Sequence, residues 1–333
     1  MKNRALVIGI TAGDPAGIGP EVALKAIEEL ALDGIRPVLI CRHEIIGTLY
    51  THYYHDYSAV REPSDILDCK NSRVLYNVPC DFPVPLHGQG SADTGAESRL
   101  YIDSAIDLWK AGIIDALVTG PVNKGLVEKS GVPFIGHTEY IAEAIGESKP
   151  YMLMFSEKYR VIPASTHLPI SDLPGYLTEK RLFEVITAAN EYIGAIDGGE
   201  PHLAIAGLDP HCGDGGAIGS FDSRVTAGAV ARAREAGINV EGPLSADALF
   251  IPGTWRRYGC AIAQYHDQGL IPFKMLSFDS GVNATLGLSM VRTSPDHGTA
   301  FDIAGKGTAN HRSMLAALGL AARLVAIKRK KEA

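Results

Sequence analysis

Long apolar runs, paired cysteines and runs of positive charge are all scarce in this sequence, and each scarcity excludes a class of protein. No apolar stretch approaches the roughly 20 residues that a membrane-spanning helix needs, so no membrane partner is expected. Lys2 and Arg4 precede only Ala5 to Ile10 before Thr-Ala-Gly-Asp-Pro, too short a stretch for the apolar region of a secretory signal. The five cysteines, at 41, 69, 80, 212 and 260, form no C-x-x-C pair and are odd in number, which suits free thiols in a reducing cytoplasm. The net charge of −7, with no long basic run, argues against a nucleic-acid partner. The closing Lys328-Arg-Lys-Lys331 reads instead as cations at a helix C-terminus, where they favour the negative end of the dipole. Internal repeats, low-complexity segments and a flexible interdomain linker are also lacking.

At 333 residues and 46% hydrophobic, the chain has the composition of an ordinary globular enzyme, with room for two lobes around a cleft. Leu6-Val-Ile-Gly-Ile10 reads as a buried strand and Gly13-Asp-Pro-Ala-Gly-Ile-Gly19 as a glycine-rich turn. Pro20-Glu21 then opens a helix with Val22, Ala26, Ile27 and Leu30 at helical spacing. Strand, glycine loop and helix N-terminus can together bind an anion. A third glycine is missing, however: Pro20, Glu21 and Val22 follow Gly19, so a Rossmann dinucleotide site is not expected. A tight strand-to-helix turn accounts for these glycines as well as ligand contact does. Residues 33–95 hold a second strand, Pro37 to Cys41, and no catalytic signature; His43, His52, His55 and His87 read as surface or packing histidines.

From residue 96 onward strands and helices alternate, which argues for an α/β layer protein. A helix from about Ala96 to Ala111 leads to the strand Asp115 to Thr119, which ends at Gly120-Pro-Val-Asn-Lys124. Strand Arg160 to Ser165 ends at Thr166-His167, and a helix follows with Leu182, Val185, Ile186, Ala189 and Ile193 on one face. Strand Leu203 to Gly207 ends at Asp209-Pro-His211, and a helix of roughly Ser223 to Ala236 precedes Gly242 to Asp247. Strand Cys260 to Gln264 ends at His266, and the last helix runs from about Ser313 to Ile327. Lys124, His167, His211 and His266 thus each lie just past the C-terminal end of a strand, the edge at which α/β sheets bind ligands.

The stretch Gln264 to Ala300 packs His266, Asp267, Lys274, Asp279, Asn283, Arg292, Asp296 and His297 among glycine and proline turns, a composition suited to a pocket for a charged metabolite. His266 or Asp267 could serve a metal or a proton, and Lys274 with Arg292 an anion. Three histidines from three strand ends would leave coordination positions open for substrate, as catalytic sites do and closed structural zinc sites do not. A divalent ion there could lower the pKa of a substrate hydroxyl and then polarise the new carbonyl. Asp247 and Asp267 could orient ligands or accept the hydroxyl proton. The plainer reading is three unrelated loop histidines. On the anion side, His137-Thr138 would assist Lys274 and Arg292, against the alternative of a solvated salt-bridge face. Asp279-Ser-Gly-Val-Asn283 reads as a turn that aims Asn283 rather than as part of a core strand.

Eight motifs, in family order along nearly the whole chain, resemble one family. They are Gly13 to Glu21, Gly120-Pro-Val-Asn-Lys124, Gly136-His-Thr-Glu139, Thr166-His-Leu-Pro169, Asp209-Pro-His211, Tyr265-His-Asp-Gln-Gly269, Gly281-Val-Asn283 and Arg292 to Thr299. Together they resemble the 4-hydroxythreonine-4-phosphate dehydrogenases of pyridoxal phosphate (vitamin B6) biosynthesis. The resemblance implies NAD-dependent oxidation of the C3 alcohol of 4-phosphooxy-L-threonine. The 2-amino-3-oxo-4-phosphooxybutanoate formed then loses carbon dioxide to give 3-amino-2-oxopropyl phosphate. It implies His167, His211 and His266 as metal ligands, and His137, Thr138, Lys274, Asn283 and Arg292 as substrate-binding residues. Asp247, Asp267 and Lys274 are then the catalytic candidates.

A more distant resemblance joins Asp296-His-Gly-Thr to Asn310 with the adenosine-binding loop of isocitrate and isopropylmalate dehydrogenases, which bind NAD or NADP without a Rossmann fingerprint. It implies a two-lobed α/β/α fold of that type, with the active site in the cleft between lobes. The whole chain, 1–333, would form one catalytic unit, each lobe built from discontinuous segments. It makes His297, Gly298, Asp302 and Asn310 the NAD candidates. The fold further implies a homodimer in which the partner subunit contributes to the active site. Cys212-Gly-Asp214 and Asn123 depart from the expected pattern and bear on fine substrate choice. Zinc is the favoured metal on the three imidazoles, with cobalt, nickel, iron, manganese and magnesium as alternatives. D-threonate or D-erythronate 4-phosphate is the alternative substrate. A phosphate acyltransferase of the same fold family would need neither the three histidines nor the NAD loop.

Overall fold

The computed structural model describes residues 4–31, 34–148 and 150–332. Twelve strands occur among the described residues: β1 (Leu6–Thr11), β2 (Ile35–Cys41), β3 (Ser58–Val60), β4 (Val74–Asn77), β5 (Ala116–Thr119), β6 (Tyr151–Phe155), β7 (Arg160–Pro163), β8 (Leu203–Ala206), β9 (Val240–Leu244), β10 (Cys260–Ala263), β11 (Val282–Leu286) and β12 (Val291–Pro295). The chain divides into two compact units, one of Met1–Pro150 with Leu288–Ala333, the other of Tyr151–Gly287.

In the first unit the strand order is β3-β4-β2-β1-β5-β12, and every pair is parallel. β1 is buried from Val7 to Thr11 and β5 throughout, so both read as continuous apolar runs rather than as alternating ones. That pattern belongs to a parallel sheet covered on both faces. The helix Ala92–Lys110 opens with a capping box, in which the Ser91 hydroxyl accepts from the Thr94 amide and the Thr94 hydroxyl from the Ser91 amide. The final helix, Arg312–Glu332, is fixed near its end by Lys328 Nζ donating to the Ser289 carbonyl and by Arg329 paired with Asp115 at 2.8 Å.

The second unit has the order β11-β6-β7-β10-β8-β9. β6 is antiparallel to β11 and β7, whereas β7, β10, β8 and β9 run parallel. Its core gathers Trp255, Phe273, Val161, Ala261 and Leu270. The helix Glu179–Asp197 buries Leu182, Val185, Ile186, Ala189 and Ile193, as its spacing required, and stops at Gly198 in the left-handed conformation. Two expectations need correction. Asn283 does not sit in a turn: Val282 and Asn283 open β11, paired with Phe155 and Met154 across an antiparallel ladder. The polar residues between Asp279 and Asn283 hid a strand start, because β-branched Val282 is followed at once by the polar Asn283. The helix expected from Ser223 begins instead with a wide turn, Asp222–Thr226, before Ala227–Glu235. Buried Asp222 drives this, since its carboxylate accepts the Leu208 and Asp209 amides and the Thr226 hydroxyl.

Candidate active site

In the second unit the strand order decides which side chains can meet. β7, β10, β8 and β9 lie side by side in that sequence and run parallel, so their C-terminal ends form one edge. His167 follows β7, His266 follows β10, His211 follows β8 and Asp247 follows β9. The four residues therefore rank along the edge in an order quite unlike their order in the chain. All three histidines keep solvent access, as ligands to an exchangeable group must.

His167 and His266 face each other with ring centroids 6.0 Å apart. His266 is the first residue of the helix His266–Ser277, and its Nδ1 is bonded to Asp267 Oδ1 at 2.6 Å. That bond commits Nδ1 and turns Nε2 away from Asp267, the arrangement that carboxylate-backed histidines take behind a metal. Lys274 lies seven residues after Asp267 on the same helix, so the two share one face two turns apart. His211 stands on a different kind of support. Residues His211 to Gly215 all have left-handed backbone, with φ between 43° and 84°. For His211, Cys212 and Asp214 that conformation costs on the order of 1–3 kcal/mol each. The loop is held by Asp209, whose Oδ2 accepts the Phe221 amide and whose carbonyl accepts the Cys212 amide. His211 lies within electrostatic range of Asp247. The Asp247 carboxyl is held below its ordinary range, chiefly by the Ser245 hydroxyl at 2.5 Å. Among the described residues no three His, Cys, Asp or Glu side chains converge on one point. The structure thus pairs His167 with His266 and sets His211 beside Asp247. The two facing imidazoles, one with its Nδ1 committed to Asp267, suit a divalent ion, and His211 at the next strand end is not brought onto them.

The anion residues of the first unit centre on Arg292. It is buried inside β12 and donates from Nε and Nη2 to Thr119 Oγ1 at 3.2 and 2.6 Å. Burial lowers its pKa to about 10, with Glu139 acting in the opposite sense, so it remains a cation at neutral pH. His137 begins the helix His137–Ala144, and its Nε2 is buried without a hydrogen-bond partner. Burial first, then the charges of Arg292 and Lys124, hold this imidazole well below its ordinary 6.5, so it is neutral. Lys124 and Glu139 flank Gly136: a Cβ there would lie 3.4 Å from Lys124 Nζ and 3.0 Å from Glu139 Oε2. Two fixed cations beside a neutral imidazole and one carboxylate leave a net positive field, suited to a phosphate dianion. Thr138 follows on the same helix. The other two candidates belong to the second unit: Lys274, and Asn283, whose Oδ1 is buried without a partner.

The segment from Asp296 to Asn310 is anchored to the glycine-rich turn. Thr299 accepts the Ile18 amide through its carbonyl at 2.9 Å, and Glu21 accepts the Ala309 amide at 3.0 Å. Lys25, paired with Glu21 at 2.7 Å, donates to the Gly307 and Ala309 carbonyls. The glycines of the turn therefore serve packing, since a Cβ on Gly19 would lie 2.1 Å from the Ala12 carbonyl oxygen and one on Gly17 2.7 Å from that of Thr299. His297 keeps a buried Nε2 without a partner, and burial lowers its pKa. Gly298 faces open space, Asp302 and Asn310 are exposed, and Asn310 Oδ1 accepts the Arg312 amide. An unpaired imidazole nitrogen beside open backbone fits a dinucleotide's polar edge.

Sequence reasoning left several residues unassigned. Lys124 stood out as a strand-end residue but received no role, and Thr119, Glu21 and Lys25 received none. The Glu21–Lys25 spacing of four was a visible signal of an ion pair; its grip on residues 307–309 was not, because that contact spans most of the chain.

The pyridoxal phosphate biosynthetic protein PdxA family model matches residues 34–321. The chain belongs to this family. One PdxA-type relative is the 4-hydroxythreonine-4-phosphate dehydrogenase of Roseobacter denitrificans, 39% identical over 98% of this chain and 99% of its own. Another, from Bradyrhizobium diazoefficiens, carries the provisional name D-threonate 4-phosphate dehydrogenase and is 38% identical over 98% of each chain. The crystal structure of 4-hydroxythreonine-4-phosphate dehydrogenase from Klebsiella pneumoniae matches with a TM-score of 0.81 at 33% identity, covering 96% of this chain and 100% of that one. Isocitrate dehydrogenase from Methylococcus capsulatus, at 13% identity and a TM-score of 0.50 over 98% of this chain and 89% of its own, shares the fold alone. Membership in the PdxA family makes the chain an oxidoreductase associated with pyridoxal phosphate synthesis, built on an α/β fold of the isocitrate dehydrogenase kind. No helix among its described residues is long and apolar enough to cross a membrane.

Proposed function

We propose that the protein oxidises 4-phosphooxy-L-threonine at C3 with NAD, NADP being the alternative, and that the resulting β-keto acid loses carbon dioxide to give 3-amino-2-oxopropyl phosphate. The observation that carries this reading is the order of His167, His266 and His211 along three adjacent parallel strand ends in a chain of the PdxA family. These three side chains would hold one divalent ion, with zinc favoured. When bound, such an ion supplies Lewis-acid polarisation of an alcohol or carbonyl oxygen. Arg292, Thr138 and His137, with Lys274 and Asn283, bind the substrate's anionic groups. Asp247 or Asp267 would accept the hydroxyl proton, bound NAD would supply the hydride acceptor for C3, and Lys274 would offer a cation to the enolate left by loss of carbon dioxide. His297, Gly298, Asp302 and Asn310 receive the dinucleotide.

The protein acts in the cytoplasm as a homodimer on this reading. The helix His266–Ser277 supports the dimer, because Ile271 (57% exposed), Met275 (80%) and Phe278 (59%) form an apolar stripe at spacings of four and three.

The Bradyrhizobium relative motivates a second reading, in which the substrate is D-threonate or D-erythronate 4-phosphate. The two differ at C2, where a hydroxyl replaces the ammonium. The deciding experiment measures NADH formation by metal-stripped protein, with and without added divalent ions, on all three compounds. A metal-dependent preference in kcat/KM for 4-phosphooxy-L-threonine is expected. Preference for a sugar acid selects the second reading, and absence of NADH with all three overturns the dehydrogenase assignment.

A further inference from the structure

Lys124 has no task in the scheme above, yet its surroundings are those of a ligand group rather than of a surface lysine. β5 ends at Thr119, whose Oγ1 accepts Arg292 Nε and Nη2 at 3.2 and 2.6 Å, and the chain then runs Gly120-Pro-Val-Asn-Lys124. That loop is pinned along its length. The Gly120 amide donates to the Thr11 carbonyl at 3.0 Å, the Pro121 carbonyl accepts the Asp14 amide at 2.9 Å, and Asn123 Oδ1 accepts the Leu126 amide at 3.1 Å. Lys124 therefore leaves the sheet edge that holds Arg292, from a backbone that its neighbours have fixed. Its ammonium ends 3.4 Å from the Cβ position of Gly136, and its charge is felt by the His137 ring.

Three observations favour an anionic ligand at this point. First, Lys124 Nζ has neither a hydrogen bond nor an ion pair among the described residues, although Glu139 Oε2 lies 3.0 Å from the same Gly136 Cβ position. A full charge with three donors is uncommitted, whereas Arg292 spends two of its nitrogens on Thr119. Second, His137 Nε2 is buried without a partner, an arrangement that costs free energy until something pairs with it. Third, the charges do not balance without a ligand. The Glu139 carboxylate opposes the Arg292 guanidinium and His137 is neutral, so the net positive charge of the four groups is that of Lys124. An ammonium is a compact charge with rotatable donors and suits the tetrahedral oxygens of a phosphate, whereas a planar carboxylate is matched by the guanidinium fork.

We infer that Lys124 is the specificity-determining cation of the anion site in the first unit, the group by which a phosphorylated substrate is told from its unphosphorylated counterpart. The inference rests on the phosphorylated-substrate reading above and is common to both substrate choices there, because all three compounds carry the phosphate. Arg292, held by Thr119, is the fixed wall of the site; Lys124 supplies the charge that the phosphate neutralises. With a neutral residue at 124 the remaining guanidinium and carboxylate cancel, and the cluster loses its net attraction for a dianion. Loss of one charge-assisted hydrogen bond of this kind weakens binding by about 10–100-fold.

The test titrates full-length protein with inorganic phosphate by calorimetry at low ionic strength, with thermal melting in parallel. Lys124→Met removes the charge, Lys124→Arg returns it, and Lys129→Met is the control, since it removes the same charge from the exposed far end of the same short helix. Lys124 is itself exposed, so all three variants should melt close to wild type. The expected result is a phosphate Kd about 10–100-fold weaker for Lys124→Met, largely restored in Lys124→Arg and unchanged in Lys129→Met. In turnover, Lys124→Met should lower kcat/KM for 4-phosphooxy-L-threonine through KM, and leave kcat/KM for 4-hydroxy-L-threonine near wild type; a lysine with a merely structural role would lower both alike. A wild-type phosphate Kd in Lys124→Met, an equal loss in Lys129→Met, or no phosphate binding by wild type overturns the inference. If phosphate binding follows the expected pattern and no phosphorylated compound yields NADH, the dehydrogenase reading falls and the Lys124 anion site stands.

Discussion

Asp14 is fully buried beside the glycine-rich turn, where Oδ1 accepts the Ala16 amide and Oδ2 the Thr94 hydroxyl. Those bonds favour the anion, but desolvation is the larger effect, and with Glu97 nearby it raises the carboxyl from its ordinary 3.8 to about 6. The native state thus holds a proton more tightly than the unfolded chain does between pH 3.8 and about 6. Stability falls as pH rises through that window and stays reduced above it. At about 1.4 kcal/mol per pH unit the penalty is about 3 kcal/mol at most. Asp14→Asn keeps an acceptor for the Ala16 amide and removes the charge. Its melting temperature should exceed wild type at pH 8 and converge with it near pH 4; a difference independent of pH would show that desolvation of this carboxylate is not the cause. None of this was legible beforehand. Asp14 sat in a recognisable motif, yet its burial depends on Thr94, which no local pattern connects to it. By contrast the three histidines were legible, because each follows a short apolar strand that the eye can pick out.

At the scale of elements, Gly19 and Gly319 show how one residue type takes its meaning from its surroundings. Gly19 opens the helix Gly19–Glu29, and a Cβ there would lie 2.1 Å from the Ala12 carbonyl oxygen, a backbone atom that cannot yield cheaply. Gly319 is itself exposed, between buried Leu318 and Leu320 of the helix Arg312–Glu332, with nothing within 4 Å of its Cβ position. Gly19→Ala should destabilise by at least about 1–3 kcal/mol, as overpacking does. Gly319→Ala should stabilise by about 0.5–1 kcal/mol, the difference in helix propensity. Chemical denaturation of the two variants checks both signs, and a neutral Gly19→Ala would mean that the turn can open. Helices were legible from apolar spacing: Leu182, Val185, Ile186, Ala189 and Ile193, read as one face, are all buried. The role of the glycine turn stayed undecided between packing and ligand contact because its neighbours, Pro121 and Thr299, are remote in the chain. Asn283 was misplaced for a related reason: its strand is recognised only by its partner β6.

For the molecule as a whole, the apolar stripe Ile271, Met275 and Phe278 bears on assembly. Under the dimer proposed above, Met275→Glu sets a charge in the centre of the stripe and should convert the species seen by sedimentation velocity to monomer, with the fold retained by circular dichroism. An unchanged sedimentation coefficient would assign the stripe another role. The α/β class was legible from strand and helix alternation. The division into Met1–Pro150 with Leu288–Ala333 and Tyr151–Gly287 carries no signal in composition, because no linker marks either crossing.

That division has a consequence for how the chain is born. The first unit's sheet ends on β12, paired with β5, and β12 is packed by the helix Arg312–Glu332, which follows it in the chain. At about 5–20 residues per second, the edge of β5 is synthesised on the order of ten seconds before its partner exists. All of Tyr151–Gly287 emerges in that interval and, as an unbroken segment, can fold while the first unit waits. The nascent chain therefore carries an unpaired apolar edge at β5 for much of its synthesis.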